Sequence, residues 1–189
     1  MANYYKLANI VKTGSFIGKK KKARSTEAAA HLFNTKSNHD FINIQESLIN
    51  IKKSLKLTTD IISKRGHILI HLPDIEIKET SLTKRYVKNT RLHSGFISNY
   101  KKSKTKHRLP AFFVMAFSDE ESSIAKELNI QNIPFSALVG TNHEKSKVTY
   151  PIYINTESKA IKKQYLSLFE KAIILGHLKE TFLLKRKTS

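Results

Sequence analysis

Cysteine is missing altogether from this 189-residue chain, and so is tryptophan. Without Cys there can be no disulfide, no thiolate-held zinc or iron–sulfur cluster and no thiol nucleophile. Loss of Trp removes one good platform for stacking bases, although ten Phe and seven Tyr remain. Six Gly and four Pro are too few to form a linker that would split the chain. No apolar run approaches the roughly 20 residues of a membrane helix, and the N-terminal stretch has no secretory apolar region. Negative charge is the other shortage: 15 Asp and Glu stand against 34 Lys and Arg, a net charge of +19.

The cationic excess is lopsided. Residues 1–110 hold 23 Lys and Arg against seven Asp and Glu, whereas residues 111–189 hold 11 against eight. Like charges gathered on one part of a globular chain repel, so an anionic partner is implied. Nucleic-acid phosphate is the first candidate, an anionic membrane the second, compositional drift the third. The chain reads as soluble and suited to a reducing or redox-neutral compartment. Lys outnumbers Arg 28 to 6, and with abundant Ile and Asn this matches AT-rich codon usage.

Apolar periodicity sets the fold class. His39–Ile44 is a short β-type run, and Gln45–Arg65 repeats Leu48, Ile51, Leu55, Thr58 (or Thr59) and Ile62 on one helical stripe. Gly66 is expected to stop that helix in the C′ position. His67–Leu72, Ala111–Phe117 and Phe135–Val139 are nearly unbroken apolar runs, the pattern of strands buried on both faces. Tyr150–Ile154 is a last short strand. Helices are expected over Ser25–Leu32, weakly over Lys78–Tyr86, and from Asp119, Glu120 and Glu121 to Leu128. A long one starts at Glu157, weakening after Gly176. Alternating buried strands and amphipathic helices predict a three-layer αβα domain of flavodoxin or Rossmann type, with a mostly parallel sheet. Residues 1–38 read as a basic N-terminal extension and residues 39–189 as a single αβα domain with a long C-terminal helix.

Catalytic and cofactor motifs are weak. Gly14-Ser15-Phe16-Ile17-Gly18-Lys19-Lys20 imitates a phosphate loop but has one residue too few between its glycines. Lys20 also stands where a Mg²⁺-binding hydroxyl is needed. No dinucleotide-binding glycine pattern follows a strand. His67 and His71 on one strand would lie roughly 13 Å apart, too far to share an ion. Asp119, Glu120 and Glu121 suit a helix N-terminus better than general acid–base work. No metal site, cofactor or catalytic set is expected.

The basic segments carry more. Lys19, Lys20, Lys21, Lys22 and Arg24 form one cluster, and Lys84, Arg85, Lys88 and Arg91 form another around Asn89 and Thr90. Tyr100–Arg108 holds Lys101, Lys102, Lys104, Lys106, His107 and Arg108. His93, His107 and His143 lie in polar or basic loops within reach of phosphate or solvent. Three cationic segments around an apolar sheet suit a docking surface for folded RNA, binding through phosphates and therefore salt-sensitive.

Several segments together carry a resemblance. Asn89-Thr90-Arg91-Leu92-His93-Ser94-Gly95-Phe96-Ile97-Ser98-Asn99-Tyr100 resembles the Asn-x-Arg-Trp-x-Gly-Gly-x-Leu-Thr-Asn-Trp/Phe loop of small-subunit ribosomal protein 2. Leu109-Pro110 with Phe112-Phe113-Val114 resembles that family's Leu-Pro-Asp-x-x-x-Val strand. Ile133-Pro134-Phe135-Ser136-Ala137-Leu138-Val139-Gly140-Thr141-Asn142 is similar to its Ile-Pro-x-x-Ala-x-x-Asp-Thr-Asn strand and turn. Val148 with Tyr150-Pro151-Ile152 follows its Val-Asp-Tyr-x-Ile-Pro strand. Gly14, Gly18, Phe33, Phe41–Ile44 and Arg65-Gly66-His67-Ile68-Leu69 fall at the family's spacing, so the resemblance covers about residues 10–157. Gly140 replaces the family's Asp, Leu92 its Trp and Ser94 its first Gly. Bacterial members carry a long helical hairpin where only Lys101–Arg108 stands here.

The resemblance implies a non-enzymatic rRNA-binding constituent of the small ribosomal subunit, seated between head and body near the mRNA exit. Implied partners are small-subunit rRNA, neighbouring small-subunit proteins and mRNA near its exit, with no membrane span and no stand-alone homo-oligomer. The RNA-binding set on this reading is Lys19, Lys20, Lys21, Lys22, Arg24, Lys88, Asn89, Arg91, Ser94, Gly95, Asn99, Lys101, Lys102, Lys104, Lys106 and Arg108. Gly95 is expected to supply positive φ or close backbone approach. Sequence drift and the missing hairpin resemble mitochondrial ribosomal proteins, with a plastid or bacterial cytoplasm as alternatives. The short stretch before the first matching position points to an organelle-encoded protein. A nucleotide- or S-adenosylmethionine-dependent α/β enzyme acting on RNA is the reading from another class.

Overall fold

Five parallel strands form the centre of the computed structural model, in the spatial order β5-β4-β6-β7-β8. They are β4 (Ile68–His71), β5 (Val87–Lys88), β6 (Phe112–Ala116), β7 (Phe135–Val139) and β8 (Tyr150–Tyr153). Helix α1 spans Ile44–Ser63, α2 spans Ser122–Ile130 and α3 spans Lys159–Thr188. A second, antiparallel sheet in the order β1-β3-β2 is built from β1 (Ile17–Lys20), β2 (Leu32–Lys36) and β3 (His39–Ile42). The structure describes residues 14–20, 31–36, 39–72, 75, 87–88, 95–99, 109–116, 122–141 and 148–188.

Every residue of β4, β6 and β7 is buried, which is why these strands read as nearly unbroken apolar runs. Side chains alternate between two cores. Ile68, Ile70, Phe112, Val114, Leu138 and Ile152 meet Ile51 and Ile62 of α1 and Ile161, Tyr165, Phe169 and Ile173 of α3. Leu69, Phe113, Met115, Phe135, Ala137 and Tyr153 meet Ile124, Ala125 and Leu128 of α2 on the other face. The domain is therefore a three-layer αβα fold with a mostly parallel sheet and a long C-terminal helix, as the periodicity predicts. Each large side chain so buried contributes on the order of 1.5–3 kcal/mol. Burial also pushes the Tyr165 phenol well above its ordinary value.

The helix ends depart from expectation. Asn43 caps α1, its side chain accepting a hydrogen bond from the Gln45 N–H at 3.1 Å. At the other end the left-handed residue is Arg65, with φ +61°, and not Gly66. The Arg65 N–H donates to Ile62 O at 3.0 Å and the Gly66 N–H to Ile61 O at 2.9 Å, a Schellman pair that makes Arg65 the C′ residue. Gly66 answers a different need: a Cβ there would lie 2.5 Å from Ile61 Cγ2. In its left-handed position Arg65 donates from Nε to Glu180 Oε1 of α3 at 2.9 Å, compensating a carboxylate that is only 3% exposed. Helix α2 ends the same way, with Asn132 at φ +53° and Ile133 N–H donating to Leu128 O at 2.9 Å.

The inner face of α1 is also rotated from the apolar stripe. Ser47, Ser54, Thr58 and Thr59 are buried beside Ile51 and Ile62, while Leu48 and Leu55 are only partly buried. Small hydroxyl side chains let α1 come close to β8 and α3, and each hydroxyl finds a carbonyl. Ser47 Oγ donates to Tyr153 O at 2.9 Å, and Thr58 Oγ1 donates to Ser54 O at 2.9 Å.

Helix α3 continues through Gly176 to Thr188, and Gly176 is a point of close approach to α1. A Cβ at that position would lie 2.7 Å from Ile62 Cβ and 2.8 Å from Thr59 O. The range expected to be helical at Ser25–Leu32 ends differently, since Leu32 opens β2. Residues 25–30, the Lys78–Tyr86 helix and the Asp119–Glu121 helix start lie outside the described residues, and α2 is helical from Ser122. Strands β1 and β2 both come from residues 1–38.

Replacing Gly176 with Val is expected to destabilise the domain by about 2 kcal/mol, because the added atoms meet backbone and a β-branched side chain. Urea denaturation reads this as a lower midpoint with an unchanged slope. Stability should also fall above about pH 10, where an unfolded tyrosine ionises but the buried Tyr165 does not. Tyr165→Phe should lessen that alkaline loss.

Candidate nucleic-acid interface

The described part of the Asn89–Tyr100 loop is Gly95–Asn99, one tight turn held from below by α2. Gly95 has φ +86°, a conformation that L side chains rarely adopt, and its carbonyl accepts from the Asn99 N–H at 2.9 Å. Ile97 is 1% exposed and plugs the turn into the core on the α2 side of the sheet. Ser98 and Asn99 face solvent.

Glu127 on α2 fixes this turn. One carboxylate oxygen accepts from the Gly95 N–H; the other accepts from the Ile97 and Ser98 N–H groups at 3.0 Å each. A carboxylate 8% exposed is costly unless hydrogen-bonded, and three backbone donors satisfy it. Glu127 was not among the residues expected to matter. Its signal is a charged residue on the apolar stripe of α2, between Ile124 and Leu128.

The small antiparallel sheet leans on the same side of the molecule. Ile42 of β3 and Leu32 of β2 pack into the core that holds Ile97. His31, just before β2, hydrogen-bonds Glu46 at 2.7 Å and stacks on Tyr153 with ring centroids 4.2 Å apart. The sheet and the 95–99 turn thus share the α2 side, while α1 and α3 cover the other.

Of the expected RNA-binding residues, Lys19 and Lys20 lie on β1, and Lys88 lies on β5 opposite Leu69. Gly95 and Asn99 lie at the two ends of the braced turn. Lys21, Lys22, Arg24, Asn89, Arg91, Ser94, Lys101, Lys102, Lys104, Lys106 and Arg108 lie outside the described residues, as do His93, His107 and His143.

Doubly wound enzymes bind ligands beyond the carboxyl ends of their strands. Here the chain itself occupies part of that edge. The Asn155 N–H donates to Ser15 O at 3.0 Å, and Ser15 is 2% exposed. Gly18 approaches Thr141 so closely that a Cβ would lie 2.8 Å from its methyl group. A small depression remains, lined by Gly18, Gly140, Thr141, Ile154, Asn155 and Glu157. Among the described residues no cluster of His, Asp or Glu could hold a metal ion, and no helix is long and apolar enough to cross a membrane.

The model of the family described as Ribosomal protein S2 matches residues 72–176. The small ribosomal subunit protein uS2 of Ehrlichia chaffeensis (strain ATCC CRL-10679 / Arkansas) is 23% identical over 203 residues, covering 82% of this chain and 70% of the relative.

Glu127→Ala should leave three backbone donors without their acceptor and destabilise the domain by about 2 kcal/mol. Amide exchange at Gly95, Ile97 and Ser98 should accelerate more than exchange in β6, with Glu127→Gln intermediate. Equal acceleration throughout would mean that the brace is not local.

Proposed function

The chain belongs to the ribosomal protein S2 family and is a structural constituent of the small ribosomal subunit, and on that premise we propose that it docks on rRNA through its basic loops. The observation that carries the proposal is the charge imbalance of residues 1–110, 23 Lys and Arg against seven Asp and Glu. Phosphate supplies the compensation that the chain lacks. Lys19–Lys22, Arg24, Lys88 and Lys101–Arg108 would bind phosphates and position the domain without reading bases. Asn89, Arg91, Ser94, Gly95 and Asn99 would fit the braced loop against folded RNA. Residues 14–18 at the strand ends support a body that acts as a rigid block.

A mitochondrial ribosome is the proposed location. The interval between Asn99 and Leu109, with Lys101–Arg108 in place of the family's bacterial hairpin, supports it. The bacterial relative keeps a bacterial cytoplasm compatible. Neighbouring small-subunit proteins and mRNA near its exit are the further partners of this reading.

Changing Lys101, Lys102, Lys104 and Lys106 together to Glu tests the proposal. Incorporation into small subunits should drop at least tenfold, and the thermal midpoint of the isolated protein should hold. Normal incorporation of the variant would refute a docking role for that tract.

A further inference from the structure

Phe33 on β2 is 82% exposed, the highest value for any large apolar side chain among the described residues. Its exposure is built into the strand. Strand β2 pairs with β3 as Leu32↔Ile42 and then Asn34↔Phe41, so two steps on β2 match one on β3. Phe33 is the extra residue of a β-bulge, the device by which a sheet re-aims one side chain. The neighbouring Leu32 packs inward with Ile42, and Phe41 stacks on Phe16 with ring centroids 6.0 Å apart. The sheet thus has aromatic and apolar partners available, and Phe33 takes none of them.

The same small sheet carries basic residues. Register places Lys20, His39 and Lys36 in one row across β1, β3 and β2, and Lys19 precedes Lys20 on β1. A protein partner covering Phe33 would have to bring matching carboxylates into this row. An unpaired nucleotide brings both requirements together, a π-face for the ring and a phosphate for the cations.

We propose that Phe33 is a stacking platform for one unpaired base in a single-stranded loop or bulge of RNA. The inference rests on rRNA docking and adds to it a contact with a base where the basic loops contact phosphates. Stacking of this kind tolerates any base, so it anchors the strand without reading sequence.

The full-length protein can be titrated with a ten-nucleotide oligouridine carrying one central 2-aminopurine. Wild type and Phe33→Tyr should quench the 2-aminopurine on binding. Phe33→Leu should lose the quenching and bind about tenfold more weakly, with an unchanged salt slope, since no phosphate contact is lost. An unchanged thermal midpoint for Phe33→Leu is expected of so exposed a side chain. Equal quenching and affinity for Phe33→Leu and wild type would overturn the proposal. A second arm places p-benzoylphenylalanine at position 33 in assembled small subunits. Cross-linking to an unpaired rRNA nucleotide is the expected result. Cross-linking to a protein, to a second copy or to nothing, in subunits that still incorporate the chain, would refute stacking and leave rRNA docking standing. The docking role of the basic tract is tested separately, by incorporation of the Lys101–Lys106 reversal.

Discussion

The structure depends on one constraint: strands β4, β6 and β7 are buried on both faces and almost wholly apolar, so the sheet is stable only when covered twice. Helices α1 and α3 cover one face and α2 the other. Their close fit explains features that look unfavourable in isolation. Ser54 and Thr58 sit where larger apolar residues would be expected, because α1 must come near α3 and β8. Gly176 lies in mid-helix for the same reason, and its cost in helix propensity is about 1 kcal/mol. Arg65 adopts a left-handed conformation and there reaches the buried Glu180.

Both faces of the sheet are covered, so its core offers little room for the cationic excess. In the sequence the basic segments of residues 1–110 fall between or beside the strands; the β1–β3 sheet and the Gly95–Asn99 turn lie on the α2 side. Glu127 links that layer to the turn through three backbone hydrogen bonds. The α2 layer is therefore tied to the Gly95–Asn99 turn through a buried carboxylate, in a chain that belongs to the ribosomal protein S2 family.

What was legible in the sequence follows from burial. β7 is found at Phe135–Val139, as the sequence predicts, because a strand buried on both faces leaves a nearly unbroken apolar run. β1 and β2 are not legible in the sequence, since Ile-Gly-Lys-Lys and Leu-Phe-Asn-Thr-Lys are short and partly polar, with pairing set by β3. Gly66 looked like the helix stop, but close packing on Ile61 explains it and Arg65 takes the left-handed turn. Gly176 looked like a weak point because propensity speaks first for an isolated helix, while tertiary contact decides here. Of the loop, the motif around Gly95 was readable only through its family resemblance. The role of Glu127 is not legible in the sequence, because a lone acid on a helix stripe announces burial and not its partners.

The central claim is that this chain is held in a ribosomal particle by RNA. Sucrose-gradient sedimentation of the tagged full-length protein in native lysate, with and without ribonuclease, tests it most directly. Co-migration with small subunits, collapsing to the top of the gradient after ribonuclease, is the predicted result. Slow sedimentation as free protein in both samples would contradict the account.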